Sequence, residues 1–345
     1  MSPFTGKQHV AAAFKRTFTD RVPYYPILGH FNAKLASISV REFLTDSEKF
    51  ARAQILGYET FHPDIVVMMA DLLIEAEALG NKLKFPENGV CLSMSRSLKD
   101  KGDLKKLKIP DPEKDGRMPY YIDACRRVKE KVKESAVGSV VCGPWSIAIA
   151  LRDAEVLIRD CSKDPDFVHS LMEFTLEVAS KYALAVQANA GVGVSFSEAP
   201  ASCSLVSPKI YRQFIFPYHK RLMEEMHSRK IGVTLHVCGY VDPIMEDLIN
   251  TGVDALSIDA PSSLARLAEL NQKKTVIIGN VATELFYTGT KNGMEQAVKN
   301  CIEVAAKESA FILSTGCEVP WVASAEQVKW FMDAAEKYGH YPIYP

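Results

Sequence analysis

The chain has 345 residues, of which 47% are hydrophobic and 24% are charged, with 41 Lys and Arg against 42 Asp and Glu. This composition is typical of a soluble globular protein and excludes a disordered, collagen-like or disulfide-scaffold chain. A net charge of −1 provides no overall positive field to attract nucleic acid or an anionic membrane surface, so small molecules and protein partners are the expected ligands.

The N-terminal sequence MSPFTGKQHVAAAFKRTF has no apolar run behind a basic end, which argues against a secretory signal. No apolar run in the chain approaches the roughly 20 residues that span a bilayer. The cysteines include no CxxC pair, which favours a reducing compartment. We therefore expect a cytoplasmic protein with no membrane segment and no nucleic-acid partner.

Runs of β-branched residues that end in small or polar residues recur along the chain, each followed by a helical pattern. They predict strands at 24–28, 65–69, 139–142, 192–196, 232–236, 255–258, 275–278 and 311–314. Helix starts are marked by a capping box at Ser39 and by the pairs Asp164-Pro165 and Ser207-Pro208. Nearly continuous apolar strands that alternate with helices predict a parallel sheet buried on both faces.

The predicted fold class is α/β, a (β/α)8 TIM barrel, because closure is the simplest architecture for this number of alternating units. A doubly wound open sheet is the alternative. Residues 1–20 indicate a helical N-terminal cap, and residues 81–98 indicate an inserted hairpin around a turn at 86–89. No linker, repeat or low-complexity tract divides the chain, so we expect residues 1–345 to form a single barrel domain.

Metal-ligand side chains follow predicted strands at their carboxyl ends, where a barrel carries its reactive groups. His236 and Cys238 are two residues apart, so they share one side of an extended segment. Cys317 follows the last predicted strand and would be a third ligand if the strand ends converge. One nitrogen and two sulfurs suit zinc and leave one tetrahedral corner for substrate. A buried histidine with core cysteines is the alternative.

Other polar residues at strand ends have both a functional and a structural interpretation. Asp259 could be a fourth ligand, an acceptor for the metal-binding histidine or a helix cap. Glu198 could be an acid, a base or a ligand, or it could be a solvated loop carboxylate. We expect Asn280 either to bind substrate or to stabilise a turn, and Gly143 to shape a pocket wall. Asp71 is expected to point into the barrel. Several histidines have no partner at a suitable spacing, which favours packing or surface roles: His30, His62, His219 and His227.

Long segments of the chain resemble the uroporphyrinogen decarboxylase superfamily, and within it the methylcobalamin:coenzyme M methyltransferase branch. The motifs that carry the resemblance are PDIVVMMADLLIEAEALG at 63–80, CGPWSIA at 142–148, SEAPASCSLVSPKIYRQFIFPYHKRL at 197–222, LHVCGYVDPIMEDLINTGVDALSID at 235–259, IIGNV at 277–281 and ILSTGCEVP at 312–320. The resemblance implies a (β/α)8 barrel whose cleft lies at the carboxyl ends of the strands.

The methyltransferase branch binds zinc through a His-x-Cys and a later Cys, which fall here on His236, Cys238 and Cys317. The resemblance implies that a methyl group moves from methylcobalamin, a corrinoid held on a separate protein, to the thiol of coenzyme M. Cobalamin-independent methionine synthase is a more distant relative with a carboxylate between its ligands. Asp259 matches that position, with Asp in place of Glu. Asp259 or Glu198 is then the candidate acceptor for the thiol proton.

True uroporphyrinogen decarboxylases hold the carboxylates of their substrate with arginines in a loop after the first strand. The corresponding stretch at 25–34, YPILGHFNAK, contains no arginine, and one lysine is a poor substitute for bidentate partners. Asp71 lies near the position where those enzymes keep an aspartate that faces the pyrroles. This single match favours a binding role for Asp71 without restoring the decarboxylase activity.

The favoured interpretation is a zinc-dependent methyltransferase that acts on a small thiol. A second enzymatic interpretation is a corrinoid-dependent demethylase, or a transfer of the methyl group to folate. From a different class of protein, the chain could be a non-catalytic binding module stabilised by zinc, in which four protein ligands would close the metal site.

Overall fold

The β-branched runs of the sequence form parallel strands, and the amphipathic stretches between them form the helices that cover them. The computed structural model describes residues 2–308 and 310–343. The strands are β1 Tyr24–Ile27, β2 Ile65–Met68, β3 Lys82–Lys84, β4 Leu92–Ser95, β5 Ala136–Ser139, β6 Val141–Cys142, β7 Val194–Ser197, β8 Val233–Val237, β9 Ala255–Ile258, β10 Val276–Val281 and β11 Phe311–Glu318.

The α-helices are α1 Gly6–Phe14, α2 Phe31–Leu35, α3 Val40–Thr45, α4 Ser47–Phe61, α5 Ile74–Ala78, α6 Met118–Lys131, α7 Pro144–Arg152, α8 Ala154–Lys163, α9 Pro165–Ala190, α10 Pro208–Ile210, α11 Phe216–Ser228, α12 Met245–Ile249, α13 Leu264–Asn271, α14 Lys291–Ala305 and α15 Ala325–Tyr338. The predicted starts are present: Ser39 and Glu42 form a capping box, and Asp164 accepts a hydrogen bond from the backbone of α9. No helix in the described ranges combines the length and the apolar composition that crossing a bilayer requires.

The main sheet has seven strands in the order β1-β11-β10-β9-β8-β7-β6, and β2 pairs with β5. Two backbone bonds join β5 to the start of β7: Ser139 N–H to Gly193 O at 2.8 Å and Gly193 N–H to Val137 O at 2.9 Å. The Asp64 N–H donates to Tyr24 O at 3.0 Å and links β2 to β1. The strands therefore follow one another around the sheet in chain order, and the strand order does not reverse as it does in a doubly wound sheet. The predicted barrel is confirmed and the open doubly wound sheet is excluded.

Some strand limits differ from the prediction. The third predicted strand begins earlier, at Ala136, and is interrupted at Val140, so it forms the two short strands β5 and β6. The last strand was expected to end at Ser314 but continues to Glu318. The apolar run of the sequence stops at Ser314, whereas the pairing of the strand with β1 continues beyond it. The Ile27 N–H donates to the Thr315 hydroxyl at 3.0 Å. This extension carries Cys317 on a strand, where its backbone is fixed.

The two ends of the barrel are covered differently. At the amino end, α1 packs Val10 and Ala13 against strand residues that include Ile278 and Ile312. At the carboxyl end, β3 and β4 pair antiparallel and form a hairpin. Residues 88–90 at the tip of this hairpin line a cavity together with residues that end β11. The carboxyl end is therefore the open mouth of the barrel.

Candidate metal centre at the mouth of the barrel

Three potential metal ligands meet at the carboxyl ends of β8 and β11. His236 Nε2 lies 2.9 Å from the Cys238 sulfur, and the sulfurs of Cys238 and Cys317 are 3.4 Å apart. One donor atom from each residue lies within 4.8 Å of the other two. All three side chains are half-buried, so a small molecule can reach them. We call them the His–Cys–Cys cluster.

The position of His236 is fixed by its neighbour on β9. The Nδ1 atom of His236 lies 2.9 Å from the hydroxyl of Ser257, the residue directly opposite it in the sheet. This contact fixes the orientation of the ring and directs Nε2 at the two sulfurs. Sequence reasoning missed Ser257, because only the register of β8 against β9 brings it opposite His236.

The two thiols of the cluster influence each other. The hydrogen bond between the two sulfurs holds the pKa of Cys317 below its ordinary value; burial opposes this effect and His236 adds to it. The same bond, together with burial, raises the pKa of Cys238. A divalent metal bound between the sulfurs would favour the thiolate form of both.

The donor set and its spacing suit zinc. Tetrahedral bonds of about 2.3 Å to sulfur and about 2.0 Å to nitrogen place neighbouring donors roughly 3.5 to 3.8 Å apart. The nitrogen–sulfur separation of 2.9 Å and the sulfur–sulfur separation of 3.4 Å are shorter than that spacing by about 0.6 Å and about 0.4 Å. Within the part of the chain that the structure describes, this is the one group of three or more His, Cys, Asp or Glu residues close enough to hold an ion.

Two cavities lie at the mouth of the barrel, and Glu318 lines both of them. The inner cavity, of about 90 Å³, is lined mainly by apolar side chains and reaches all three residues of the cluster. The outer cavity, of about 390 Å³, lies between the hairpin tip and the segment that ends β11. Its lining residues are His30, Val40, Asn88, Gly89, Val90, Glu318, Val319, Pro320 and Trp321.

Asp259 lies beside the cluster but is not one of its members. Its Oδ2 atom accepts the Gly239 N–H at 2.9 Å, and its Oδ1 atom accepts the Ala260 N–H at 2.7 Å. Ser257, and not Asp259, is the partner of the cluster histidine. Asp259 therefore stabilises the turn that follows Cys238, and this geometry favours a structural role over the predicted catalytic one.

Glu198 is completely buried, which excludes the solvated loop position. Its Oε1 atom accepts the Trp145 N–H at 3.0 Å and lies 3.0 Å from His219 Nε2, while its Oε2 atom accepts the Ser146 N–H at 2.9 Å and the Ser146 hydroxyl at 2.8 Å. The carboxylate caps the amino end of α7, where backbone N–H groups and the helix dipole favour a negative charge. We call this set the Glu198 network.

Gly143 belongs to the Glu198 network and does not line either of the two cavities. A Cβ atom at this position would lie only 2.2 Å from Glu198 Oε1. The glycine is therefore required for the close approach of the buried carboxylate, and the linings of the two cavities give no support to the predicted pocket wall.

Asn280 and Asp71 are engaged in the framework around the mouth. The Asn280 side-chain amide donates to the carbonyls of Asp259 at 3.1 Å and Ser262 at 2.9 Å. Asp71 forms a bidentate pair with Arg117, at 2.6 Å and 3.2 Å. Neither residue lines the two cavities, so their predicted contacts with substrate or cofactor find no geometric support.

Three of the four histidines that were expected to have packing or surface roles have carboxylate partners. His219 is buried against Glu198, His227 Nε2 lies 2.8 Å from Asp254, and His30 Nδ1 lies 2.8 Å from Glu318. These carboxylates are 21, 27 and 288 residues away in the chain. Spacing along the sequence therefore gave no signal for the pairs.

A parallel barrel that holds a histidine and two cysteines at its open mouth has the architecture of a barrel enzyme with a thiol-rich centre. The family profile described as uroporphyrinogen decarboxylase (URO-D) matches residues 5–338. The chain belongs to this family, as its sequence motifs predicted.

Similar proteins come from two branches of the family. The chain is 24% identical to methylcobamide:CoM methyltransferase MtbA of Methanosarcina mazei and 25% identical to MtaA of Methanosarcina barkeri, covering 98% of this chain and 99% of each relative. It is 24% identical to a uroporphyrinogen decarboxylase of Klebsiella pneumoniae over 79% of this chain and 78% of that protein.

A solved structure has the same fold. A methyltransferase from Methanosarcina mazei superimposes with a TM-score of 0.88 at 22% sequence identity, over 97% of this chain and 99% of that one. The match establishes the fold. The full-length relatives support the predicted class of enzyme: the chain is a methyltransferase of the uroporphyrinogen decarboxylase family.

Proposed function

We propose that this chain transfers a methyl group from a methylated corrinoid, held on a separate protein, to a small thiol activated by zinc. The observation that carries the proposal is the convergence of His236, Cys238 and Cys317 at the end of a cavity. The relatives named methylcobamide:CoM methyltransferases, which match over nearly the whole chain, support the same reaction class.

His236, Cys238 and Cys317 would hold the zinc ion and leave one coordination position for the substrate. Zn²⁺ bound there would supply a Lewis acid that favours the thiolate at neutral pH, where a free thiol of pKa about 8.5 is mostly protonated. Ser257 contributes by keeping His236 Nε2 directed at the site. The donor atoms of His236, Cys238 and Cys317 already lie close enough together to bind one ion.

The transfer exchanges one bond to carbon for another. The sulfur of the thiol forms a bond with the methyl carbon, the cobalt–carbon bond breaks, and its electron pair stays on cobalt. The thiol proton leaves to solvent. The side chains of the inner cavity, which include Ile27, Val67 and Leu72, exclude bulk water and hold the sulfur in place.

A corrinoid on a second protein has to approach the mouth from outside. Several apolar side chains near the carboxyl ends of the strands are exposed, and they include Val90 and Met94 on the hairpin, Tyr240 after β8 and Val322 after β11. Exposed apolar residues that cluster around a cleft are typical of an interaction surface. They support a docking site for a methylated corrinoid protein, and the cytoplasm stays the predicted location of the encounter.

The decisive experiment measures zinc content and demethylation of methylcobalamin together. We expect about one zinc per chain and a change in the absorbance of methylcobalamin that depends on added thiol. Cys317→Ala should lose the zinc and at least about 99% of the activity, because two remaining ligands bind zinc weakly. The matched control is Cys161→Ala on α8, a cysteine outside the cluster whose pKa is raised to about 12 by burial.

The same assay separates the alternative functions. Coenzyme M, homocysteine and tetrahydrofolate are offered as acceptors, each with and without protein. Transfer to tetrahydrofolate but to no thiol would contradict the proposal, and so would a metal-free protein of full activity. A zinc signal that stays unchanged on adding any thiol, with no demethylation, would favour a structural metal in a binding module.

A further inference from the structure

One carboxylate lies in the wall of both cavities at the mouth. Glu318 lines the inner cavity, which contains the His–Cys–Cys cluster, and also the outer cavity, which lies toward the hairpin tip. A thiol whose sulfur lies at the cluster therefore has Glu318 in the wall of the cavity that holds it. The charge of this residue acts on whatever group the thiol carries at its other end.

Glu318 is held in place by the loop that follows β1. Its Oε1 atom accepts hydrogen bonds from the His30 backbone N–H and from His30 Nδ1, the latter at 2.8 Å. Gly29 has a φ of +45°, and a Cβ atom there would lie only 2.0 Å from the same oxygen. The close approach therefore requires glycine. The Oε2 atom accepts no hydrogen bond from the described residues, so it is available to a ligand.

The described residues that line the two cavities include no lysine or arginine, and Glu318 is their one carboxylate. Two basic side chains near the mouth are engaged elsewhere: Lys34 Nζ donates to the Ala323 carbonyl at 2.7 Å, and Arg41 pairs with Glu87 at 2.8 Å. The basic residues that could have bound an anion from further away are also paired, Arg152 with Asp160 and Arg212 with Asp247.

His30 does not turn the cavity into an anion site. Burial lowers the pKa of His30, but the hydrogen bond and charge of Glu318 outweigh burial and raise it. Even a protonated His30 has its positive charge against the Glu318 carboxylate, with Nδ1 2.8 Å from Oε1. In addition, His30 Nε2 is buried and has no hydrogen-bond partner among the described residues, so a ligand in the cavity cannot contact it.

We propose that the methyl acceptor of this chain is a thiol with a neutral or positively charged body, and that Glu318 selects against thiols that carry a sulfonate. This inference rests on the proposed function and refines its substrate class. It separates this chain from the relatives named for coenzyme M, which is 2-mercaptoethanesulfonate. A sulfonate at the outer end of such a thiol would meet a like charge with no basic side chain to balance it.

The test uses three thiols that share a two-carbon skeleton and differ in charge: 2-aminoethanethiol, 2-mercaptoethanol and 2-mercaptoethanesulfonate. Demethylation of methylcobalamin by the zinc-loaded protein gives kcat/KM for each, corrected for the reaction without protein. We expect the ammonium thiol to exceed the sulfonate thiol by roughly tenfold, and the difference to shrink as salt is added. The neutral thiol should fall between them.

A second readout does not depend on activity. The methylated products of the three thiols carry the same charges but have no thiol proton, so their affinities, measured by ligand-detected NMR or calorimetry, report the charge of the cavity alone. Glu318→Gln keeps an acceptor for His30 and should bring the three affinities within about twofold of one another. Glu155→Gln on the exposed face of α8 is the matched control and should leave the order unchanged.

The outcomes distinguish this inference from the proposed function. If all three thiols are methylated but the sulfonate is preferred, or if Glu318→Gln leaves the order of affinities unchanged, the inference about Glu318 is wrong while the function stands. If the zinc-loaded protein demethylates methylcobalamin with none of the thiols, the proposed function fails. The product affinities would then still test the charge of the cavity.

Discussion

The mouth of the barrel carries two groups of ionisable side chains at strand ends, and the two groups differ in burial and in access to a cavity. On the side of β8 and β11, the His–Cys–Cys cluster is half-buried and faces a cavity. On the side of β7, Glu198 and His219 are fully buried, and both oxygens of the carboxylate are engaged. One group can take a ligand, whereas the other stabilises the fold.

The difference arises from what surrounds each strand end. The amino end of α7 lies against Glu198, and its unpaired backbone N–H groups attract the carboxylate. Cys238 lies next to the thiol of Cys317 on β11, and the Gly239 N–H that follows it donates to Asp259, just after β9. Neither contact involves a helix end. A position at the carboxyl end of a barrel strand therefore does not by itself make a residue catalytic. The predictions below test this contrast.

The largest expected effect is on stability, from Glu198→Ala. The variant would leave Trp145 N–H, Ser146 N–H and His219 without a buried acceptor, at a cost of about 3 to 5 kcal/mol in the free energy of unfolding. Urea unfolding measures the loss, and Glu155→Ala on α8 should cost less than about 0.5 kcal/mol. Zinc bound by the folded fraction should be normal. A folded, fully stable variant that lacks activity would show that Glu198 acts in catalysis.

A smaller effect is expected from Ser257→Ala, which removes the partner of His236 Nδ1. Loss of the group that orients a ligating histidine weakens metal binding by about 10- to 100-fold. Competition with a chelator measures the zinc affinity. Ser139→Ala, which removes an equally buried strand hydroxyl bonded to Gly193 O, is the control and should leave the affinity unchanged. Equal affinities in the two variants would contradict the orienting role.

The apparent affinity for zinc should depend on pH. The pKa of Cys238 is raised by its hydrogen bond to Cys317 and by burial, so at neutral pH this thiol carries a proton that the metal has to displace. Lowering the pH favours the protonated form, so affinity should fall by about tenfold per unit for each proton released. Chelator competition between about pH 6 and pH 8 measures the slope of zinc affinity against pH. A slope of zero would mean that no ligand proton is displaced.

The smallest effect is expected from Asp259→Asn. The amide keeps one acceptor for the Gly239 or Ala260 N–H and loses the other, so the turn after Cys238 should weaken only slightly. We expect unchanged zinc content and kcat/KM within about threefold of the unmodified protein. A loss of 100-fold or more with zinc retained would restore Asp259 as the proton acceptor.

Much of the framework could be predicted from the sequence because it depends on local patterns. Strand positions follow from β-branched runs, helix starts follow from caps such as Ser39, and the shared side of His236 and Cys238 follows from the two-residue period of a strand. The environments of Glu198 and Gly143 could not be predicted, because a residue that follows a strand has the same local pattern whether it faces a cleft or a helix end.

Sequence by itself determined the alternation of strands and helices, and with it the barrel and the mouth at which chemistry occurs, because hydrophobic period and capping act over a few residues. Only the tertiary structure decided which strand ends meet. Cys317 reaches Cys238 across 79 residues, and His30 reaches Glu318 across 288 residues, because the closed sheet fixes register and curvature over distances that no local pattern encodes.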